Sequence, residues 1–251
     1  MVFSAEFTIV NNCNYTVWPA SYTTGGNSGN ATLATTGFML KPGENSTITA
    51  PAKWTGRFWG RTLCTTDSVS KNFSCITGDC GSGKVACDGR SGSPPVTLAE
   101  ITLDSANNQD FYDVSLVDGY NVPMELVPLG GSGRCNSTGC PTDLNAVCPT
   151  ELKVTENGTV VACQGPCAAF NLQFFCCVGN HSTPNTCEPS VYAQIFKTTC
   201  PQAYSYVYDD QTSTFTCPAT DYHVVFCPAS NNARLDTNTS KYFSCHFIFI
   251  K

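Results

Sequence analysis

The sequence predicts an all-β fold pinned by disulfides, and three observations carry that prediction. Short runs of β-branched and aromatic residues recur along the chain, Gly/Asn/Pro/Ser turns separate them, and 17 of the 251 residues are cysteine. Many short strands punctuated in this way read as a sandwich or a barrel.

In chain order the strand-like runs are residues 7–10, 46–49, 57–59, 97–103, 111–117, 214–216 and 223–226. Turn-forming stretches fall at 24–30, 89–95 and 129–134. The pattern breaks between Cys135 and Cys200, where nine cysteines crowd among few clean strands. Within that stretch Ser190-Val-Tyr-Ala-Gln-Ile-Phe-Lys197 sets Val191 and Ile195 four apart, with Ser190 at its start and Lys197 near its end. This predicts a helix of about two to three turns. A second Cys-rich patch spans residues 64–87. The expected organisation is a discontinuous β core (1–61, 101–141 and 201–229), a small two-disulfide insertion (62–100) and a longer one with the short helix (142–200). No internal repeat is visible. The end of the chain is polar over 229–240 and apolar from Tyr242 to Ile250, too short for a bilayer span or a lipid-anchor signal. Residues 230–251 are therefore expected to be a flexible or removable extension.

Cysteine use sets the compartment. About one residue in fifteen is Cys, too many to stay reduced without metal or catalytic duty. There is no repeated C-x-x-C, and His181, His223 and His246 have no ligand spacing, so neither a metal nor a cofactor is expected. Eight N-x-S/T sequons (Asn14, Asn30, Asn45, Asn72, Asn136, Asn157, Asn180 and Asn238) fit a secreted chain. Met1-Val-Phe-Ser-Ala is too short for a secretory signal, so a leader is expected to have been removed ahead of this numbering, or Met1 to be an added start. A net charge of −6, with 13 basic residues and no Lys/Arg cluster, argues against nucleic acid or an anionic membrane as partner. No apolar run approaches the length of a transmembrane span. Serine-hydrolase chemistry lacks its Gly-x-Ser-x-Gly elbow. His223 sits in an alternating strand and reads as structural. Trp18, Trp54 and Trp59 read as core or rim packing, and the alternation of Tyr204, Tyr206 and Tyr208 as one strand face.

A set of ordered motifs then resembles the thaumatin-like proteins, pathogenesis-related family five, from Phe7 to Pro228. They include Asn11-Asn-Cys-Asn-Tyr-Thr-Val-Trp18, Gly56-Arg-Phe-Trp-Gly-Arg-Thr62, Pro94-Pro-Val-Thr-Leu-Ala-Glu100 and Asp110-Phe-Tyr-Asp-Val-Ser-Leu-Val-Asp-Gly119. Asn145-Ala-Val-Cys-Pro149, Ala203-Tyr-Ser-Tyr206 and the signature core Phe73-Ser-Cys-Ile-Thr-Gly-Asp-Cys80 continue the series. Two positions depart from the pattern: Lys71 stands where the signature usually has Gly, and Gln202 where Asp is usual.

The resemblance implies a β-sandwich core carrying the two insertions. It also implies one pairing, where sixteen cysteines alone would allow roughly two million: Cys13–Cys227, Cys64–Cys75, Cys80–Cys87, Cys135–Cys217, Cys140–Cys200, Cys148–Cys163, Cys167–Cys176 and Cys177–Cys187. Cys245 is left over. In the chain-entropy picture the Cys13–Cys227 loop alone contributes roughly 5 kcal/mol. The resemblance further implies an acidic cleft formed by Arg57, Glu100, Asp113, Asp118 and Asp209, with adjacent Asp210 as a one-residue alternative to Asp209. Strand parity opposes Asp113 to Asp118 unless the chain turns near Val117-Asp118-Gly119. Carboxylates in a groove suit sugar hydroxyls, so the implied partner is β-1,3-glucan or another fungal wall polysaccharide, bound by a monomeric plant defence protein. It would be secreted to the apoplast, or carried to the vacuole by its C-terminal extension. Three alternatives stay open: weak endo-β-1,3-glucanase action with Glu100 and Asp118 as candidate catalytic residues, inhibition of digestive enzymes, and a purely structural ion-pair network around Arg57.

Overall fold

The structure of the protein, a computed structural model, describes residues 4–25, 33–130 and 135–229. The expectations for residues 230–251, for Cys245 and for the sequons at Asn30 and Asn238 lie outside the described residues.

Two sheets carry the fold. The first holds five strands, in the order β3 (Asn45–Ala50), β1 (Ala5–Asn11), β13 (Tyr222–Phe226), β8 (Met124–Pro128) and β9 (Thr138–Cys140). The second runs β12 (Phe215–Pro218), β7 (Gln109–Ser115), β6 (Leu98–Thr102), β4 (Thr55–Thr66) and β2 (Trp18–Gly25), with β5 (Phe73–Thr77) paired to the far end of β4. Every strand-like run in the sequence overlaps one of these strands, though the run at 111–117 outlasts β7 by two residues. The strands that composition did not signal, such as β2, β8 and β9, hold Pro, Gly or Met and owe their form to pairing partners. Strand β6 lies in the middle of the second sheet, so the sheet takes in residues up to Thr102 from both sides of the boundary expected at residue 100.

Period-two alternation decides which side chains meet between the sheets. Phe7, Ile9, Tyr222, Val224 and Phe226 from the first sheet pack against Phe58, Ala99, Ile101, Tyr112 and Val114 from the second. Phe7 stacks on Tyr222 at 5.4 Å and meets Phe58 and Trp54 at 5.0 and 5.8 Å between ring centroids, so Trp54 is core.

The opposite face of the second sheet divides in two. Over one part, Ala20, Trp59 and Leu98 are covered by Val96 and the Cys80–Cys87 loop, forming a second small core. Over the other part, Arg57, Glu100 and Asp113 are left without a lid of that kind, with Tyr22 packed at the edge of the small core. Eight disulfides tie the assembly: Cys13–Cys227, Cys64–Cys75, Cys80–Cys87, Cys135–Cys217, Cys140–Cys200, Cys148–Cys163, Cys167–Cys176 and Cys177–Cys187. This is the pairing the resemblance implies.

The long Cys-rich stretch holds a hairpin of β10 (Lys153–Glu156) and β11 (Thr159–Cys163) and the helices α1 (Pro166–Phe170), α2 (Gln173–Cys176) and α3 (Val191–Thr199). The expected helix is α3, which runs two residues past the Lys197 that ends its sequence pattern. Its Ser190 hydroxyl accepts from the Ala193 N–H at 3.2 Å, which is the cap that stops it unravelling. Asn14, Asn45, Asn72, Asn136, Asn157 and Asn180 are all exposed, as glycan acceptors must be.

Candidate functional site: an acidic groove on the outer sheet face

The groove begins as a single row across four strands. In register, Tyr22 of β2 faces Arg57 of β4, Arg57 faces Glu100 of β6, and Glu100 faces Asp113 of β7. Arg57, Glu100 and Asp113 are flanked by inward residues (Phe58, Ala99, Ile101, Tyr112, Val114), so burial of the core forces this row outward. The guanidinium of Arg57 lies 5.9 Å from the Tyr22 ring centroid and its Nε is 3.5 Å from Glu100 Oε1. That contact is an ion pair without hydrogen-bond geometry, and the Arg57 Nε is buried with no acceptor. Side chains of Arg57 and Glu100 are 24% and 35% exposed, open enough for a ligand to reach both.

Asp118 joins the row because the chain turns directly after β7. Gly119 has φ +96°, and its N–H donates to Leu116 O at 2.9 Å. A Cβ at Gly119 would meet Cys163 O at 2.5 Å and Pro95 Cβ at 2.8 Å, so only glycine permits the turn. The turn reconciles Asp113 and Asp118 despite their opposed strand parity.

The remaining wall comes from the loop after the long insertion. Tyr204 bridges Ser115, its N–H donating to Val114 O and its C=O accepting from Leu116 N–H, both at 2.9 Å. The Tyr204 hydroxyl donates to Asp210 Oδ1 at 2.8 Å. Two adjoining hollows of 360 Å³ each result, sharing Glu100, Asp113, Tyr204 and Asp210. Arg57, Asp118, Val117 and Val207 line one, and Thr55, Thr102, Phe111 and Thr214 line the other.

Asp209 is elsewhere. Its carboxylate pairs with Lys197 of α3 at 3.0 Å and accepts from the Ser205 N–H and hydroxyl at 3.0 and 2.9 Å. The groove position belongs to Asp210, the first residue of the short helix α4 (Asp210–Ser213), because Asp209 is turned back to lock the preceding loop. The tyrosines also differ from their expected strand face. Tyr204 makes one bridge, while Tyr206 and Tyr208 lie in a bend and turn, and the Tyr208 hydroxyl reaches Ser182 O at 2.6 Å. Alternation places Leu98 on the Glu100 face and Tyr204 near the cleft, and both line the groove, whereas nothing in the sequence singles out Ser115 and Val207, which carry no charge that could signal a site.

Protonation follows burial. Desolvation raises the carboxyl pKa of Glu100, with Arg57 opposing and Asp118 adding to the rise. Desolvation also raises Asp118, against the pull of Arg57. Asp113 is held well above the usual carboxylate range by burial first and then by Glu100, with Asp210 adding and Arg57 opposing. For Asp209 burial pushes up, but the Lys197 ammonium with the Ser205 and Thr212 donors outweighs it and holds the carboxylate below its ordinary value.

A larger hollow of 560 Å³ lies at Leu103, Asp104, Asp110 and Thr220. Its buried carboxylate, Asp110, already accepts from the Tyr222 hydroxyl at 2.9 Å and the Asp104 N–H at 2.8 Å, so it is taken up in structure. Among the described residues no group of three or more His, Cys, Asp or Glu could hold a metal, and no helix is long and apolar enough to cross a membrane.

Fold and groove together define a class: a two-sheet, multiply disulfide-bonded protein with an acidic groove on the outer face of one sheet. The family model described as the Thaumatin family matches residues 11–228, and the chain belongs to that family. Pathogenesis-related thaumatin-like protein 3.5 of Cryptomeria japonica is 54% identical over 224 residues, covering 89% of this chain and 90% of the relative. Pathogenesis-related protein 5 of Arabidopsis thaliana is 51% identical over 227 residues, covering 90% and 92%. Among solved structures, a laminaripentaose-producing β-1,3-glucanase in complex with laminaritetraose has a TM-score of 0.60 at 13% identity, covering 90% of this chain and 99% of that one. At that identity the likeness is one of fold alone.

Proposed function

We infer that the chain is a secreted plant defence protein that binds β-1,3-glucan of fungal walls in its acidic groove. The observation that carries this reading is the registered row Arg57–Glu100–Asp113, extended by Asp118 and Asp210 and left open on a sheet face whose other part is covered. Carboxylate oxygens accept from sugar hydroxyls, and charge-assisted bonds are about twice as strong as neutral ones. Eight disulfides fit an oxidising extracellular or luminal compartment. The apoplast is the compartment proposed, with the vacuole as destination if the C-terminal extension acts as a sorting signal.

The test is laminarin affinity together with melting temperature in Asp118→Asn and Glu100→Gln. Loss of one charge-assisted bond is expected to weaken binding about ten- to a hundredfold. Unchanged affinity with a lowered melting temperature would instead leave Arg57 and Glu100 as scaffold. Slow hydrolysis is the second reading, favoured by the raised protonation of Glu100 beside Asp118, the condition a general acid needs. Reducing-end release by the parent, abolished in Glu100→Gln, would select it.

A further inference from the structure

Asp113 cannot serve the groove in the way its neighbours do. It ends the cross-strand row, so Glu100 stands between it and Arg57, which is two strand spacings, or about 9.6 Å, away along the sheet. Its Oδ1 is buried with no hydrogen-bond partner, which leaves only Oδ2 for anything in the groove. The charged and titratable groups around it are Glu100 from β6, Arg57 from β4, Asp210 from α4 and, from the loop after the long insertion, Tyr204, whose hydroxyl donates to Asp210 and whose pKa burial raises. Asp118, from the turn after β7, acts on Glu100. Ionising Asp113 would set a third negative charge against Glu100 and Asp210 and strand a charged oxygen without a donor. Like charges directly opposite on paired strands are destabilising, and Arg57 stands beside Glu100, one strand farther from Asp113.

A glucan chain presents two kinds of oxygen. Its hydroxyls both donate and accept, while its ring and glycosidic oxygens only accept. Ionised carboxylates offer nothing to the second kind. We propose that Asp113 is the donor of the groove: a neutral carboxylic acid whose Oδ2 hydroxyl donates to an acceptor-only oxygen of the sugar chain, while Glu100, Asp118 and Asp210 accept from hydroxyls. The ligand assignment rests on the glucan reading above; the protonation of Asp113 does not. The high proton affinity of its buried carboxyl agrees with the geometry.

The role gives binding a descending limb with pH. Affinity persists while Asp113 keeps its proton and falls as pH rises through its folded-state pKa. The test combines calorimetry of laminarihexaose binding to the full chain, from about pH 5 to about pH 8, with carboxyl ¹³C NMR titration of the sugar-free protein. Asp113→Ala is expected to bind about tenfold more weakly than the parent at the acid end. Asp113→Asn, whose amide is a permanent donor, is expected to regain most of that loss and to bind more tightly than the parent at the alkaline end. An Asn variant as weak as the Ala variant would overturn the proposal, as would an Asp113 carboxyl already ionised at the acid end. A parent that binds no laminarihexaose at any pH would overturn the glucan reading and this role with it. The sugar-free titration separates the two failures.

Discussion

Asp209 and Asp210 carry the same side chain on adjacent positions, yet one faces Lys197 and the other the groove. What separates them is the Ser205 turn, which captures Asp209 Oδ2 through two donors before α4 begins. Lys71 shows a comparable local control. It has φ 62°, in the left-handed region where a side chain is strained, at the position where the family signature usually has glycine. Its N–H donates to Asp67 O at 3.0 Å and its Nζ to Ser68 O at 2.7 Å, both within the same exposed turn. Lys71→Gly is expected to raise the free energy of unfolding by up to about 1 kcal/mol, the relief of strain exceeding the added chain entropy. Equilibrium denaturation in urea checks it, and a lower midpoint would contradict this account of the turn.

At the scale of elements, the lysine in its last turn holds α3 to α4 and to the loop before it. Lys197 Nζ donates to Ser213 Oγ at 2.7 Å and to Ala203 O at 3.1 Å, and pairs with Asp209 at 3.0 Å. The two side chains are only 25% and 11% exposed, so water does little to replace a lost partner. Asp209→Asn is expected to cost about 1–3 kcal/mol of stability and to leave laminarin affinity at the parent level, since the carboxylate lies outside the groove. A variant that loses affinity but keeps its stability would return Asp209 to the binding site. The same measurement made on Asp210→Asn should give the reverse pattern.

Over the whole molecule the carboxylates divide by the direction of their shifts. Burial raises Glu100, Asp110, Asp113 and Asp118. A raised acid binds its proton more tightly in the folded chain, so its contribution to stability is complete below the unfolded pKa, about 4, and is lost as pH rises through the folded value. Asp209 is lowered, so its contribution is present above the unfolded value and is lost as pH falls through the folded one. Exposed Asp67 and Glu151 are lowered as well, by hydrogen bonds from Ser70 and from Tyr192. The two sets act in separate windows, the raised set above about pH 4 and the lowered set below it. The melting temperature is therefore expected to fall between about pH 4 and pH 7, and Asp113→Asn to shrink that fall. Calorimetric scans across the range check the sign, and a melting temperature that rises over this window would refute it.

The sequence by itself determined the strand-rich class, the dense disulfide stapling, the helix capped by Ser190 and, through ordered motifs, the family and most of the charged residues of the groove. These are local or cumulative signals: composition, alternation, cap chemistry and motif order survive in one dimension. The tertiary structure alone decided which part of the outer sheet face stays open, because the loop between β5 and β6 folds its Cys80–Cys87 turn and Val96 back over Trp59 and Leu98. It also decided that Asp210 rather than Asp209 reaches the groove, and that Tyr204 forms a wall instead of a strand face. Those outcomes depend on the Ser205 turn, on the Gly119 turn and on cross-strand register. Register brings Arg57, Glu100 and Asp113 into one row although 43 and 13 positions (100 − 57 and 113 − 100) separate them along the chain. The spacing of charges in a sequence has no knowledge of pairing, and pairing is what sets the distance between Arg57 and each acid.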